Sequence, residues 1–299
     1  MPDRGPALRH PNLIRATFAV ALAAASPAFV GKGSANPQPG KPLPRSYLEL
    51  PLGPSGELAS HPYVWERRFD GKHVAILGTR HLRDPSSSMF ERIQTAYDRV
   101  RPQIVIHESQ APPQLAALSR EQAIRIGADL GFAIHLASAG GATIRSGDPS
   151  VRSEIRALMA RFSTEEVLVF LTSQRHIGYT KEPNLADLGD GYVDFYDDYL
   201  VANGFPRHDS WDSWNGFREA YRRVAGRSLS AKTWDRDLTS PIHDNGRLSE
   251  ISRVDNAFRD GYLVGTIRKA LAEYDRVLVV FGSWHVLSLE PVLEAELSP

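Results

Sequence analysis

Two apolar runs in this chain, His73-Val-Ala-Ile-Leu77 and Val277-Leu-Val-Val-Phe281, lead into the same spacing: Gly78-Thr-Arg-His81 and Gly282-Ser-Trp-His285. An apolar run without polar alternation suits a strand covered on both faces, and such strands belong to parallel sheets sandwiched between helices. The segments after the first run keep that rhythm. A helix is expected over about Ser87 to Val100, ended near Pro102, and is followed by a short strand, Ile104-Val-Ile106. Another helix, about Arg120 to Ser138, reaches the Gly140-Gly141 turn before a third strand, Ala142-Thr-Ile-Arg145. Strand, helix, strand, helix, strand predicts an α/β fold with a mainly parallel central sheet flanked by helices.

The middle of the chain departs from this rhythm. From Val151 to about residue 250 it reads as a helical insertion rich in Tyr, Trp and Arg. A long helix over Ser252 to Tyr274 then precedes the last strand, and Val286 to Leu297 reads as a closing helix with Pro291 near its first turn. At the other end, basic residues (Arg4, Arg9, Arg15) precede the apolar run Ala16 to Val30 and the small residues Gly33-Ser34-Ala35. That order is the order of a secretory signal, which places residues 1–35 in a cleaved leader and 36–45 in a Pro- and Gly-rich linker, with the domain at 46–299. The expected location is therefore periplasmic or secreted, the alternative being a cytoplasmic protein with an unstructured leader. The apolar run is shorter than the ~20 residues a permanent anchor needs.

Composition removes several function classes. The 35 basic and 35 acidic residues balance, so no global field favours nucleic acid. With 0 cysteines the chain has no disulfide, thiol nucleophile or thiolate-held zinc, and any metal must be held by His, Asp or Glu. The patterns G-x-S-x-G, H-E-x-x-H and G-x-G-x-x-G are absent.

With 23 glycines and 10 histidines, chance alone supplies about one Gly-x-x-His spacing, so placement carries the argument. In open parallel sheets, sites form beyond the carboxyl ends of the strands. His81 and His285 both fall there, as do Glu108 after the second strand and Asp148 after the third. Two imidazoles and two carboxylates make a ligand set for a divalent metal ion, with water completing the shell. A histidine oriented by a carboxylate could also take a proton from water without a metal. His107 alternates with Glu108 and should face the other side. Asp148, just before Pro149, also reads as a helix cap, and Arg259-Asp260 as part of a solvated helix face.

The segments VAILGTRHLRDP (74–85), IVIHES (104–109), FRDGYLVGTIRKAL (258–271) and VLVVFGSWHVLSLEPVLE (277–294) resemble the Tiki/TraB/GumN superfamily, grouped with erythromycin-esterase-like and ChaN-like proteins. Its members carry two G-x-x-H motifs at strand ends, an acidic residue after the second strand, and an Arg-Asp pair before the last strand. The resemblance implies active-site roles for His81, Glu108 and His285, and brings Arg259 and Asp260 into the site as catalytic residues. Where the family often has Gly-Glu and Glu-Pro, this chain has Ala128-Asp129 and Asp148-Pro149, so shorter carboxylates stand at two candidate ligand positions.

The expectation is a metal-dependent hydrolase acting on peptide, amide or small-molecule substrates. In it His81, His285, Glu108, Asp148 and Asp129 are the metal ligands, Glu108 doubles as general base, and Arg259 with Asp260 assists catalysis. A metal-free His/Glu esterase and a non-catalytic protein that binds a metal, haem or another ligand are the alternatives.

Overall fold

Strands β1 (Tyr63–Phe69), β2 (Lys72–Thr79), β3 (Ile104–His107), β4 (Thr143–Ser146) and β5 (Arg276–Gly282) form one sheet in the order β1-β2-β5-β3-β4. All neighbours run parallel except β1, which pairs antiparallel with β2. The computed structural model describes residues 42–297 apart from 54, 57, 59, 111–112, 179–188, 190 and 231–234. The leader at 1–35 and the linker up to residue 41 lie outside the described residues.

Strand β1 is an addition to the sequence reading. Its hairpin turns through Asp70-Gly71 between the paired Phe69 and Lys72, and both loop residues have positive φ, 48° and 75°. A two-residue loop of that kind continues the twist of the strands it joins.

Helices α1 (Ser88–Val100) and α2 (Arg120–Gly140) pack on one face of the sheet, where Phe90, Ile93 and Phe132 meet Leu77, Val105 and Val280. Among the described residues the longer helices that follow are α3 (Val151–Met159), α4 (Thr164–Leu171), α5 (Trp214–Ala225), α6 (Arg247–Glu273) and α7 (Ser283–Glu296). The last two cover the other face, with Leu263, Ile267, Val286 and Leu289 against Ile76, Ile106, Val279 and Phe281. Successive strand residues thus go to opposite cores, which is why these runs had to be apolar without alternation.

The insertion keeps its own core. Tyr192, Tyr196, Phe217 and Tyr221 pack with Phe170 and Leu200 in a cluster separate from both faces of the sheet. Helix α4 runs on into a π-helical turn, Thr172–Ile177, and a second π-helical turn spans Phe195–Leu200.

Helix α7 begins at Ser283, so Pro291 sits in its interior rather than near its first turn. A proline there leaves the carbonyl four residues earlier without its helical donor. That carbonyl belongs to Leu287, and Arg45 Nη1 donates to it at 3.3 Å. The Arg45 backbone N–H donates to the next carbonyl, Ser288, at 2.7 Å. The end of the expected linker is thereby docked on α7, and it carries Tyr47 to the interior. Among the described residues no helix is long and apolar enough to cross a membrane.

Candidate active site

The order of the strands puts the carboxyl ends of β2, β5 and β3 side by side, with Thr79 paired to Gly282 and His107 to Val280. Residues that leave these ends meet beyond them. Glu108, the first residue after β3, is at the centre and buried. Its Oε2 accepts the Gly282 backbone N–H at 2.7 Å, and its Oε1 accepts Arg259 Nη2 at 2.7 Å. Gly282 makes this approach possible: a Cβ there would lie 3.0 Å from Glu108 Oε2, tighter than almost any real contact.

The two histidines flank this carboxylate. His81 Nε2 lies 3.6 Å from Glu108 Oε2, and His285 Nε2 lies 3.9 Å from Oε1. Both separations exceed a hydrogen bond. Behind each ring stands an aspartate. Asp129 Oδ1 is 2.9 Å from His81 Nδ1, and its Oδ2 accepts the Thr79 hydroxyl at 2.5 Å. Asp260 Oδ1 is 2.6 Å from His285 Nδ1, and its Oδ2 accepts the Tyr47 hydroxyl at 2.9 Å. A carboxylate on Nδ1 holds the proton there and leaves Nε2 as the basic, metal-binding nitrogen. Both Nε2 atoms thus face Glu108.

Arg259, on α6, closes the cluster. Its Nε and Nη2 reach Asp148 at 2.9 and 3.0 Å, a two-point clamp, while Nη2 also serves Glu108. The Ser109 backbone N–H donates to Asp148 Oδ2 at 2.7 Å. Asp148 is therefore no helix cap, and Ser150 caps α3 instead. Burial works against charge on Glu108, but the charges of His81, Arg259 and His285 outweigh it and hold its carboxyl well below the usual carboxylate range. Burial works equally against the Arg259 guanidinium, and Asp148 and Glu108 outweigh it, so that group stays charged. Burial, helped by the Asp260 charge, raises the Tyr47 phenol well above its ordinary value and keeps it a donor.

All seven residues singled out in the sequence lie in this cluster, but they do not share one point. Asp129 spends both oxygens on His81 and Thr79, and Asp148 spends its own on Arg259 and Ser109. Among the described residues no three His, Asp or Glu side chains already stand in metal-coordinating geometry. The convergence is narrower: two imidazole Nε2 atoms and one carboxylate. Sequence reasoning missed Tyr47, Thr79 and the Gly282 amide. For Gly282 the signal was the glycine itself at a strand end, whereas nothing near Tyr47 marked it.

Two residues beside the acidic groups have strained backbones. Ser109 follows Glu108 with φ 69°, and Ala128 precedes Asp129 with φ 54° and ψ −140° inside α2. Such conformations cost about 1–3 kcal/mol and persist where the surroundings impose them.

His73, His107 and His135 bond elsewhere, to the Glu66 side chain and to the carbonyls of Glu108 and Leu118. A surface cleft of about 750 Å³ lies at the amino ends of β2 and β5, lined by Arg68, His73, Arg99, Arg101 and Arg276. None of the clustered residues borders it. No family model, curated protein or solved structure matches the chain.

Proposed function

We propose that this protein is a hydrolase of peptide, amide or related small-molecule substrates whose reaction centre is His81, His285 and Glu108, with a divalent metal ion as cofactor. One observation carries the reading. Four carboxylates, Glu108, Asp129, Asp148 and Asp260, are buried in the cluster with one guanidinium, Arg259, which pairs with Glu108 and Asp148 alone, so the remaining positive charge has to come from the histidines or from a bound cation. Neutral imidazoles would bring two lone pairs to the Glu108 carboxylate at 3.6 and 3.9 Å and leave that deficit unmet at short range. A divalent cation between them would satisfy it, and two imidazoles with one carboxylate is an established donor set for zinc and for iron.

What supports the reading is that the position a Cβ would take at Gly282 is bordered by Glu108 Oε2, His285 Cδ2 and His81 Nε2. The ligands would be His81 Nε2, His285 Nε2 and Glu108. When bound, the ion would supply Lewis acidity and make water a nucleophile near neutral pH. Asp129 and Asp260 orient the two rings. Arg259 commits Nε and Nη2 to Asp148 and Glu108 and so positions Glu108, while its Nη1 makes only a long 3.5 Å contact with Asn256. His81, with a side chain 57% exposed, is the member that substrate can reach.

A metal-free version has one observation of its own: each histidine is backed by a carboxylate, the arrangement of a general base. Elemental analysis of the purified full chain, with turnover of ester and peptide libraries before and after chelation, separates the readings. Stoichiometric metal and chelator-sensitive, metal-restored turnover are expected. Chelator-resistant turnover would leave the metal-free mechanism, and tight metal without turnover would make the chain a binding protein. We also propose export with cleavage after Ala35, which amino-terminal sequencing from a native-type host tests. Recovery of the intact Met1 chain would refute it.

A further inference from the structure

One helical turn before Arg259, on the same face of α6, lies Asp255. The side chains at i and i+4 of a helix are neighbours, and Asp with Arg is a pair that ordinarily joins there. Here they do not pair, because Arg259 turns to Glu108 and Asp148. Asp255 is 0% exposed, and no donor reaches either of its carboxyl oxygens. Among the described residues the nearest cation, Arg175 of the π-helical turn, is 3.9 Å from Oδ2, and it donates to Glu154 of α3 at 2.8 Å. One Arg175 nitrogen lies 2.8 Å from Glu154 and 3.9 Å from Asp255, so the two carboxyls are neighbours.

An ionised carboxylate in this position would be buried, without a donor, and beside a second negative charge. Each of these costs several kcal/mol. Two carboxyls in contact share a proton. We propose that Asp255 is a neutral carboxylic acid that donates its hydrogen to Glu154, and that its neutrality leaves Arg259 committed to Glu108 and Asp148. Asp255 is then a positioning residue for the reaction centre: an anion one turn away would compete for the guanidinium that orients Glu108. The inference deepens the proposed function and rests on it only for the meaning of Arg259's position.

The groups around Asp255 agree on direction. Burial and the Glu154 charge push the Asp255 carboxyl well up, against the smaller opposing pull of Arg175 and Arg259. Burial would raise Glu154 too, but Arg175, Arg259 and the hydrogen bond from Asp255 bring it below its ordinary value. Tyr199 is the further titratable group on Arg175. A carboxyl raised on folding binds its proton more tightly in the native state, so stability falls as pH climbs from the ordinary Asp range toward the raised value.

Infrared spectroscopy of the full chain tests this without any assay of turnover, so it still decides if the hydrolase reading fails. The wild type at neutral pH should show the carbonyl stretch of a protonated carboxyl group. Asp255→Asn should abolish it, and Glu154→Gln should shift or abolish it, because the acceptor has changed. Asp255→Asn imitates the neutral acid, so its melting temperature at neutral pH should stay within a few degrees of wild type. Its advantage over wild type should grow as pH climbs above the ordinary Asp range, where wild-type stability falls. Absence of the band in wild type, its persistence in Asp255→Asn, or a melting loss of ten degrees or more in that variant would overturn the proposal. The last would mean that Asp255 is an anion whose pairing with Arg175 matters.

Discussion

The two halves of the cluster share a sequence spacing and differ in almost everything else. In the first, β2 releases the chain into a loop, and His81 stands with its side chain 57% exposed. In the second, β5 passes directly into α7, and His285 lies in the first helical turn with its side chain 6% exposed. The aspartate behind His81 comes after a strained residue, Ala128, whereas Asp260 sits in the regular interior of α6. Tyr47 supports only the second half. The same Gly-x-x-His spacing thus builds a solvent-facing arm and an anchored arm, because a loop after β2 leaves its histidine open and a helix after β5 buries its own. Glu108 joins them, and the test of this view is whether the arms fail differently.

Removing the joint should have the largest effect. Glu108→Ala leaves Arg259 buried with one carboxylate partner fewer, and breaking a buried pair costs about 3–5 kcal/mol. We expect loss of turnover and of bound metal together with a large fall in melting temperature. Glu108→Gln keeps the shape and should lose less stability but as much activity. The pH dependence has a fixed sign. The Glu108 carboxyl is depressed on folding, so its contribution is complete above the ordinary carboxylate range and is lost only as pH falls below that range toward the depressed value. Melting curves of wild type and Glu108→Gln should therefore converge on acidification. Parallel curves would show that the Glu108 charge is not held by its neighbours.

The arms themselves come next. His285→Ala opens a buried space and leaves Asp260 with Tyr47 alone, a loss of about 1–3 kcal/mol. His81→Ala should cost under about 1 kcal/mol, since water can take the place of the exposed ring at Asp129. Metal content should fall severely in both, and the double variant should hold no less than either, as for groups that act as a unit. Equal stability losses would erase the distinction between the arms. Full metal content in either single variant would exclude that histidine as a ligand.

Much of this was legible in the sequence. Runs such as Val277-Leu-Val-Val-Phe281 required two covered faces, and the two faces of the sheet supply them. The strand ends then located His81, Glu108 and His285. Strand β1 escaped because Glu66-Arg67-Arg68 interrupts its apolar residues, although Asp70-Gly71 was a hairpin signal in plain view. Partnerships were harder. Asp129 and Asp148 were readable as acids near the site, but whether a carboxylate faces a shared ion, an imidazole or a guanidinium depends on side chains from α2, α6 and β4 that sequence distance hides. Tyr47 lay beyond reach, since its place depends on Arg45 docking where Pro291 frees the Leu287 carbonyl.

Tyr47→Phe examines the anchored arm with a smaller change. It leaves Asp260 Oδ2 buried without its phenol donor while Oδ1 keeps His285. The expected cost is about 1–2 kcal/mol, or roughly 2–8 °C in a domain of this size. Turnover should fall only a few-fold, because the ring stays oriented by Oδ1. A loss matching that of His285→Ala would mean that the phenol, and not the aspartate, sets the imidazole.

The smallest effect has the most unusual sign. In a helix interior, replacing alanine by glycine normally costs about 0.5–1 kcal/mol. At Ala128 the backbone has φ 54° and ψ −140°, a conformation that glycine adopts freely and alanine does not. Relief of about 1–3 kcal/mol of strain competes with loss of one buried methyl, worth about 0.8 kcal/mol, and with glycine's greater chain entropy. With the strain at the upper end of that range the balance favours the variant by about 1 kcal/mol, so Ala128→Gly should melt a few degrees higher. The same freedom loosens the segment that aims Asp129 at His81, and turnover should drop modestly while the anchored arm is untouched. No corresponding site exists behind Asp260, where α6 is regular, so glycine in place of Ala257 should only destabilise. If Ala128→Gly melts lower, as Ala257→Gly should, the exposed arm is not held by strain and the contrast between the arms reduces to burial alone.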